Sequence, residues 1–432
     1  MATCEWQLSQ HRSCPRVFPR FTSVCEFDAP APLLHLLHIS YLGVKDGSKR
    51  GGRTDGGSEL FCGGTKKKKK APETLAAAAA MTTIVMERIG RLFISLQHIK
   101  QVPRLLTSEA SPSMPGTVRD AEVPHFFRER YVRAGYRPLH QRWGYYFLSA
   151  FRRHNETVNI WTHLLALLAL LAKMSHVAQT VDLVRDRHAW PLLILILSAL
   201  NYTAWSVAAH LLGGKSEMCH YAFFFLDYVG VAQYQYGSAV VHYYYAVEEG
   251  LHRRAGAVFM PVAALLSWLS CLGCCYGKYR NHALPPWVRK VGQVAPSTVA
   301  YMWDISPVVH RVLVSDPDPA VAYHLSHIAF FLGCAVFFAF PVLERCWPGS
   351  CDFLGQGHQL FHVLLSCCTM CQIHASYLDY GERRRVYSRL HAADDAALFA
   401  ALYALTLLVC VLIAAFMLSK AKRLLDRQDK SE

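Results

Sequence analysis

Five long stretches of the chain contain no Asp, Glu, Lys or Arg. They cover residues 190–212, 255–277, 319–343, 353–378 and 396–419 of the 432-residue chain. As a helix rising about 1.5 Å per residue, each is long enough to cross about 30 Å of hydrocarbon. An ordinary soluble enzyme is therefore excluded. A porin-like barrel is also excluded, because the apolar residues are continuous rather than alternating.

The apolar pattern predicts eight membrane spans and an all-α integral membrane fold. Hydrophobic residues make up 53% of the chain and charged residues only 18%. We place the spans at about residues 157–178, 190–212, 221–245, 255–277, 292–312, 320–342, 357–378 and 396–419.

The formal charge of +14 does not indicate nucleic-acid binding. Outside residues 1–80, which include the lysine block at 66–70, basic residues lie beside the apolar runs, as at Arg152, Lys278 and Lys420. Basic residues at span ends orient a membrane protein and attract anionic lipid. We therefore expect membrane lipid, and no nucleic acid, among the partners.

The composition divides the chain into five segments. Residues 1–80, with the lysine block and an alanine tract, form a disordered or artefactual extension. Residues 81–155 are a cytoplasmic amphipathic and aromatic/basic segment. The membrane core at 156–380, the loop and last span at 381–419 and a basic cytoplasmic tail at 420–432 complete the chain. The arginines at 383–385 conflict with this orientation, because the eight-span topology places them outside.

Polar residues inside the spans are costly and therefore indicate function. They occur at the starts of odd-numbered spans and the end of an even-numbered one, so all of them fall on one side of the membrane. These residues are Glu156, Asn159, His163, Ser206, His210, Asp227, His358 and His362.

Three histidines in this set predict a zinc site. His358 and His362 are four residues apart and project from one helical face, and His210 lies at the same depth. We expect one zinc ion, structural or catalytic, on these three imidazoles. Asp227 and Ser206 are the candidate catalytic residues if the protein is a hydrolase. The alternative is that the histidines cap helices or join them by hydrogen bonds.

A second polar group inside the spans leaves two interpretations open. His324 and His327 near the sixth span, like Gln233 and Gln235 in the third, can donate to a ligand or to neighbouring helices. Asp304 and the adjacent Pro307 predict a kinked fifth span.

The order of the motifs resembles that of the progestin and adipoQ receptor family. The segments are NETVNIWTH at 155–163, Ser206 with His210, LDY at 226–228 and HQLFH at 358–362, and the resemblance runs from about residue 81 to the C-terminus. It implies a seven-helix adiponectin-receptor-like core, to which this chain adds a C-terminal eighth transmembrane helix. Glu156, Asn159 and His163 are further family-motif positions.

The resemblance implies two functions. The membrane progestin receptor branch implies a multi-pass plasma-membrane steroid receptor that binds a progestin and signals rapidly, without gene regulation, through an inhibitory heterotrimeric G protein. The adiponectin receptor branch implies the alternative, a zinc-dependent intramembrane lipid amidase of the ceramidase type. Both imply zinc on His210, His358 and His362 and a large cavity that opens toward lipid.

Overall fold

The structure is a computed structural model that describes residues 114–280, 285–316, 318–392 and 394–428. The predicted extension 1–80, and residues 81–113 of the segment that follows it, lie outside these residues. The prediction of a helical protein is confirmed for the described part of the chain.

A short antiparallel β pair precedes the helices. Strand β1 (Val118–Arg119) pairs with β2 (Ala134–Tyr136), and helix α1 (Trp143–Ser149) follows. The α1 side chains of Trp143 and Phe147 are about half exposed. Large exposed aromatic groups beside basic residues are typical of a membrane interface.

Eight helical segments lie where the eight spans are predicted. Their helices are α2 (Thr157–Ala178), α3 (Trp190–Leu212), α4 (Glu217–Val241), α5 (Glu249–Tyr279), α6 (Pro286–Asp304), α7 (Ser306–Val314), α8 (Pro319–Ala339), α10 (Gly357–Glu382) and α12 (Asp395–Gln428), with short helices α9 (Val342–Cys346) and α11 (Arg384–Leu390) between them.

Two irregularities interrupt these helices. The predicted kink lies at Ile305, where α6 ends and α7 begins with Pro307 in its first turn. Helix α4 continues into one π turn over His242–Ala246. Turns of this kind are rare in proteins, and those that do occur are often found at functional sites.

Five helical segments of the described chain are long and apolar enough to cross a membrane. They are Thr157–Ala178, Arg187–Leu212, Glu249–Tyr279, Pro319–Ala339 and Asp395–Gln428. Helices α4 and α10 fall outside this set, and both carry buried polar side chains such as Gln233 and Gln372. The arrangement of seven core spans plus an eighth stays a prediction.

The polar helices pack inside the bundle. Helix α10 packs against α8 and α2, and α4 packs against α3, α5 and α12. A Cβ atom at Gly230 would lie 2.7 Å from the Cα of Tyr202, so glycine permits the close approach of α4 to α3. Cys271, Cys275 and Cys410 are free and buried between α5 and α12, where they act as small apolar residues.

The arginines at 383–385 are partly explained by ion pairs. Arg383 donates to the carbonyl of Tyr245 and to the carboxylate of Glu248, and Arg384 pairs with Asp186. These arginines therefore close the end of α4 and join two loops at one end of the bundle. A packing role of this kind weakens their use as indicators of orientation.

Candidate metal centre

Two helix ends bring His210, His358 and His362 together. His210 lies in the last turn of α3, and His358 and His362 lie in the first two turns of α10. One ring nitrogen of each histidine lies within 4.8 Å of the other two. The Nε2 atoms of His210 and His358 are 3.3 Å apart.

Glu156 fixes the orientation of the His210 ring. Its Oε2 lies 2.8 Å from His210 Nδ1 and also accepts a hydrogen bond of 2.7 Å from the amide of Asn159. A carboxylate only accepts, so His210 carries its proton on Nδ1 and leaves the lone pair on Nε2. A carboxylate behind a histidine is the usual support of a metal ligand.

Thr162 fixes His362 in the same way. The Thr162 hydroxyl donates to the carbonyl of Asn159 and lies 3.1 Å from His362 Nδ1. Its single hydrogen is already donated, so it accepts from Nδ1–H of His362. The Nε2 atom of His362 therefore also carries a lone pair.

His163 supports this arrangement from the side. Its Nδ1 lies 2.7 Å from the Ser206 hydroxyl, and its ring stacks on that of His362. The predicted residues Ser206 and His163 thus contact each other, and they reach the three histidines through the stacked ring.

Asp227 lies apart from this hydrogen-bonded group. It is half-buried in α4, and among the described residues it makes neither a hydrogen bond nor an ion pair. It is nevertheless close enough to His210 for electrostatic attraction. The structure therefore places seven of the eight predicted site residues in one contact network, with Asp227 beside it.

The turn before α10 positions His358. Gly355 has φ of +97°, a left-handed conformation that favours glycine. Gln356 donates to the carbonyls of Asn155 and Asp352 and forms a reciprocal cap with Gln359. The start of α10 is thereby tied to the start of α2, which carries Glu156.

Sequence reasoning missed Arg137, which caps the end of α3. Its guanidinium is buried and donates to the carbonyls of His210 and Leu211, both at 2.7 Å, and to the Ser149 hydroxyl at 3.0 Å. Burial lowers the pKa of Arg137, and the negative charge of Glu156 opposes that change. The only signal in the sequence was one arginine among many in the aromatic and basic segment.

The donor set fits the predicted zinc ion. Zinc binds imidazole nitrogen at about 2.0–2.1 Å, so two ligands of a tetrahedral ion lie about 3.3 Å apart. The His210 and His358 nitrogens have this separation. Two of the three rings also have their outer nitrogen engaged by an acceptor. His210 and His362 can hold zinc with no change of tautomer, whereas His358 would give up the Nε2–H that it donates to His210.

A small cavity lies against this centre. Its volume is about 40 Å³, and Glu156 and His210 are among its polar lining residues. Phe127, Leu139 and Phe224 form part of its apolar wall. This volume has room for a few water molecules and is smaller than a typical small-molecule site.

Comparison with known proteins gives one family. Residues 151–373, just over half of the chain, match the family model described as haemolysin-III related. Membrane progestin receptor alpha-B of Danio rerio is 51% identical over 81% of this chain and 99% of its own length. Membrane progestin receptor alpha of Cynoscion nebulosus is 53% identical over 73% of this chain and 92% of its own. Human membrane progestin receptor alpha is 47% identical over 80% of this chain and 99% of its own length.

The apolar helices and these relatives together identify a multi-pass membrane protein of the receptor type. The resemblance of the sequence motifs to this family is confirmed, and the similar proteins include alpha members of the membrane progestin receptors. This chain belongs to the haemolysin-III related family, as a member of its progestin and adipoQ receptor group.

Proposed function

We propose that this chain is a plasma-membrane receptor for a progestin steroid. The observation that carries the proposal is the identity of 46–53% to proteins named membrane progestin receptors, which this chain matches over nearly their whole length.

The cavity beside His210, of about 40 Å³, marks the candidate entrance for the steroid rather than its full binding volume. A progestin is a rigid, largely apolar molecule with a few oxygen atoms. Such a ligand suits a wall of Phe127, Leu139 and Phe224 faced by a small number of polar groups. Arg137 and Glu156 are the polar groups in this wall that can orient a steroid oxygen.

We propose zinc as the cofactor of His210, His358 and His362. Bound there, the ion would supply a fixed double positive charge that joins the end of α3 to the start of α10. Glu156 and Thr162 hold two of the rings, and Arg137 holds the backbone of His210. The end of the bundle that faces the cavity is then rigid before ligand arrives.

The amidase alternative is less well supported. The Ser206 hydroxyl, which would have to stabilise a developing oxyanion, is engaged with His163. Among the described residues, Asp227 makes no hydrogen bond or ion pair with the three histidines. The residues that hydrolysis requires are present, but the contacts that they make are those of residues that hold the three histidines in place.

We further propose eight spans with both ends in the cytoplasm, and coupling to an inhibitory G protein on that side. The positive-inside rule supports this orientation through Lys278 and Lys420. Coupling is tested in cells that express the chain: progesterone should lower stimulated cyclic AMP, and pertussis toxin should abolish the effect. No change in cyclic AMP, with the receptor at the surface, would contradict coupling.

The receptor function is tested on the purified full-length chain in lipid nanodiscs. Tritiated progesterone should bind saturably and be displaced by unlabelled progesterone, whereas cholesterol at the same concentration should not displace it. A parallel assay offers a short-chain ceramide to the same preparation. Release of the fatty acid without saturable progesterone binding would reject the receptor and favour the amidase.

A further inference from the structure

A second group of three histidines lies at the other end of the bundle. His242 begins the π turn after α4, and His324 and His327 lie in the first turns of α8. One ring nitrogen of each lies within 4.8 Å of the other two, and each residue is only 1% exposed. Along α10, Asp379, which contacts this group, lies about 26 Å from His362 at a rise of about 1.5 Å per residue.

The hydrogen bonds of two rings direct their lone pairs into the group. His242 Nδ1 lies 3.0 Å from the carbonyl oxygen of Asp304, which only accepts, so the proton is on Nδ1 and the lone pair on Nε2. His324 Nε2 lies 2.8 Å from a carboxylate oxygen of Asp379. His324 therefore has its lone pair on Nδ1.

The spacing of the nitrogens suits a metal ion. His324 Nδ1 and His327 Nε2 are 3.2 Å apart, close to the separation of about 3.3 Å that two imidazole ligands have on tetrahedral zinc. The amide of Gln372 donates to His242 Nε2 at 3.0 Å, which agrees with a lone pair on that nitrogen. A metal ion would replace this hydrogen bond and the one that His327 Nε2–H donates to His324 Nδ1.

The surrounding charges favour a cation. Asp379 accepts two hydrogen bonds of 2.9 Å from Arg311, which also pairs with Asp318. Two carboxylates and one guanidinium sum to one negative charge beside the histidines. This charge partly balances a divalent ion, and Asp379 behind His324 repeats the carboxylate–histidine support of metal sites. Three neutral imidazoles that serve only as hydrogen-bonding groups need no such excess charge.

We propose that His242, His324 and His327 form a second metal site, which binds Zn²⁺ and joins the end of α4 to α8. Imidazole nitrogen is a ligand type that zinc favours, and three protein ligands leave a fourth position for a non-protein ligand. Through Asp379 the site also holds α10, so that each end of this helix is connected to a metal site. The proposal does not depend on the receptor function.

The metal content of the full-length chain tests the proposal. The purified protein is loaded with zinc chloride, desalted and measured by mass spectrometry of the metal. We expect about two equivalents in the unaltered chain and about one in His242→Ala/His327→Ala, because a site with one remaining ligand does not retain zinc. The matched control His310→Ala/His374→Ala removes two nearby histidines outside the group and should keep both equivalents. Unchanged zinc in the first variant would overturn the proposal.

A second measurement covers the case in which that variant fails to fold. In His358→Ala/His362→Ala, which lacks the first centre, a chelator should remove about one remaining equivalent. The chelator should also lower the midpoint temperature of thermal unfolding, and added zinc should restore that temperature. If this variant is folded, contains no zinc and keeps its midpoint in the presence of chelator, the second site does not exist.

Discussion

The imidazole rings of His163 and His362 are stacked, with their centroids 3.6 Å apart and their planes inclined by 11°. His163 is held in turn by the Ser206 hydroxyl, and its buried Nε2 atom has no hydrogen-bond partner in the part of the chain that the structure describes. Because this nitrogen makes no hydrogen bond, the buried ring contacts His362 through its face, by stacking. We infer that His163 positions His362 rather than binding a ligand itself.

Removing the stacked ring should weaken zinc binding at the first centre. In His163→Ala, His362 loses its flat support, and we expect zinc affinity to fall on the order of tenfold, as for other residues that orient metal ligands. A competitive titration with a chelating dye measures the affinity.

Two further variants separate stacking from other effects. His163→Phe restores the flat surface and should recover most of the affinity, whereas His176→Ala, an exposed position on the same helix, should leave it unchanged. Equal loss in His163→Ala and His163→Phe would show that the imidazole nitrogens, and not the stack, matter.

Arg137 should be essential for the stability of the end of α3. Arg137→Met leaves the buried carbonyls of His210 and Leu211 without donors, which should cost on the order of 3 kcal/mol or more. The measurement is thermal unfolding of the purified protein in detergent. Arg142→Met, an exposed arginine next to α1, is the control and should unfold as the unaltered chain does. A small effect of Arg137→Met would mean that water replaces the lost donors.

Asp227 distinguishes a receptor from a hydrolase. Asp227→Asn keeps the size of the side chain and removes its charge. Because Asp227 makes no hydrogen bond or ion pair with the three histidines among the described residues, progesterone affinity should stay within about tenfold of the unaltered value. A hydrolase that used this carboxylate for proton transfer should lose on the order of a hundredfold in rate. Joint loss of steroid binding and hydrolysis, at unchanged zinc content, would make the chemistry the primary function.

The topology is tested by tags at the two ends of the chain. Eight spans place both ends on the same side, so a tag at the N-terminus and a tag at the C-terminus should be equally protected from protease in intact cells. Exposure of the C-terminal tag alone would mean an odd number of spans, with the tail after Lys420 outside.

The apolar runs were sufficient to predict where most helices lie. The predicted bounds 157–178 and 190–212 coincide with α2 and α3, because long charge-free segments have few other stable structures in a membrane. Helix alternation also placed His210 at the depth of His358. The hydrogen bonds that set the tautomers of these rings were not predictable, since Thr162 and His362 are 200 residues apart.

Contacts between distant segments limited the rest of the prediction. Arg137 reaches the end of α3 across 73 residues, and nothing in its local sequence identifies that partner. In the second histidine group, His324 and His327 are visible as a pair, but their partners His242 and Asp379 come from two other helices. Only the packing of α4, α8 and α10 brings these side chains together.

The central claim is that a progestin binds at the end of the bundle that His210, His358 and His362 organise. The most direct measurement is saturation binding of tritiated progesterone to plasma membranes from cells that express the unaltered chain or His358→Ala/His362→Ala, with surface amounts matched by biotinylation. We predict saturable binding by the unaltered chain and a loss of affinity of tenfold or more, roughly 1.4 kcal/mol, in the variant. The absence of saturable binding to the unaltered chain at the cell surface would contradict the account.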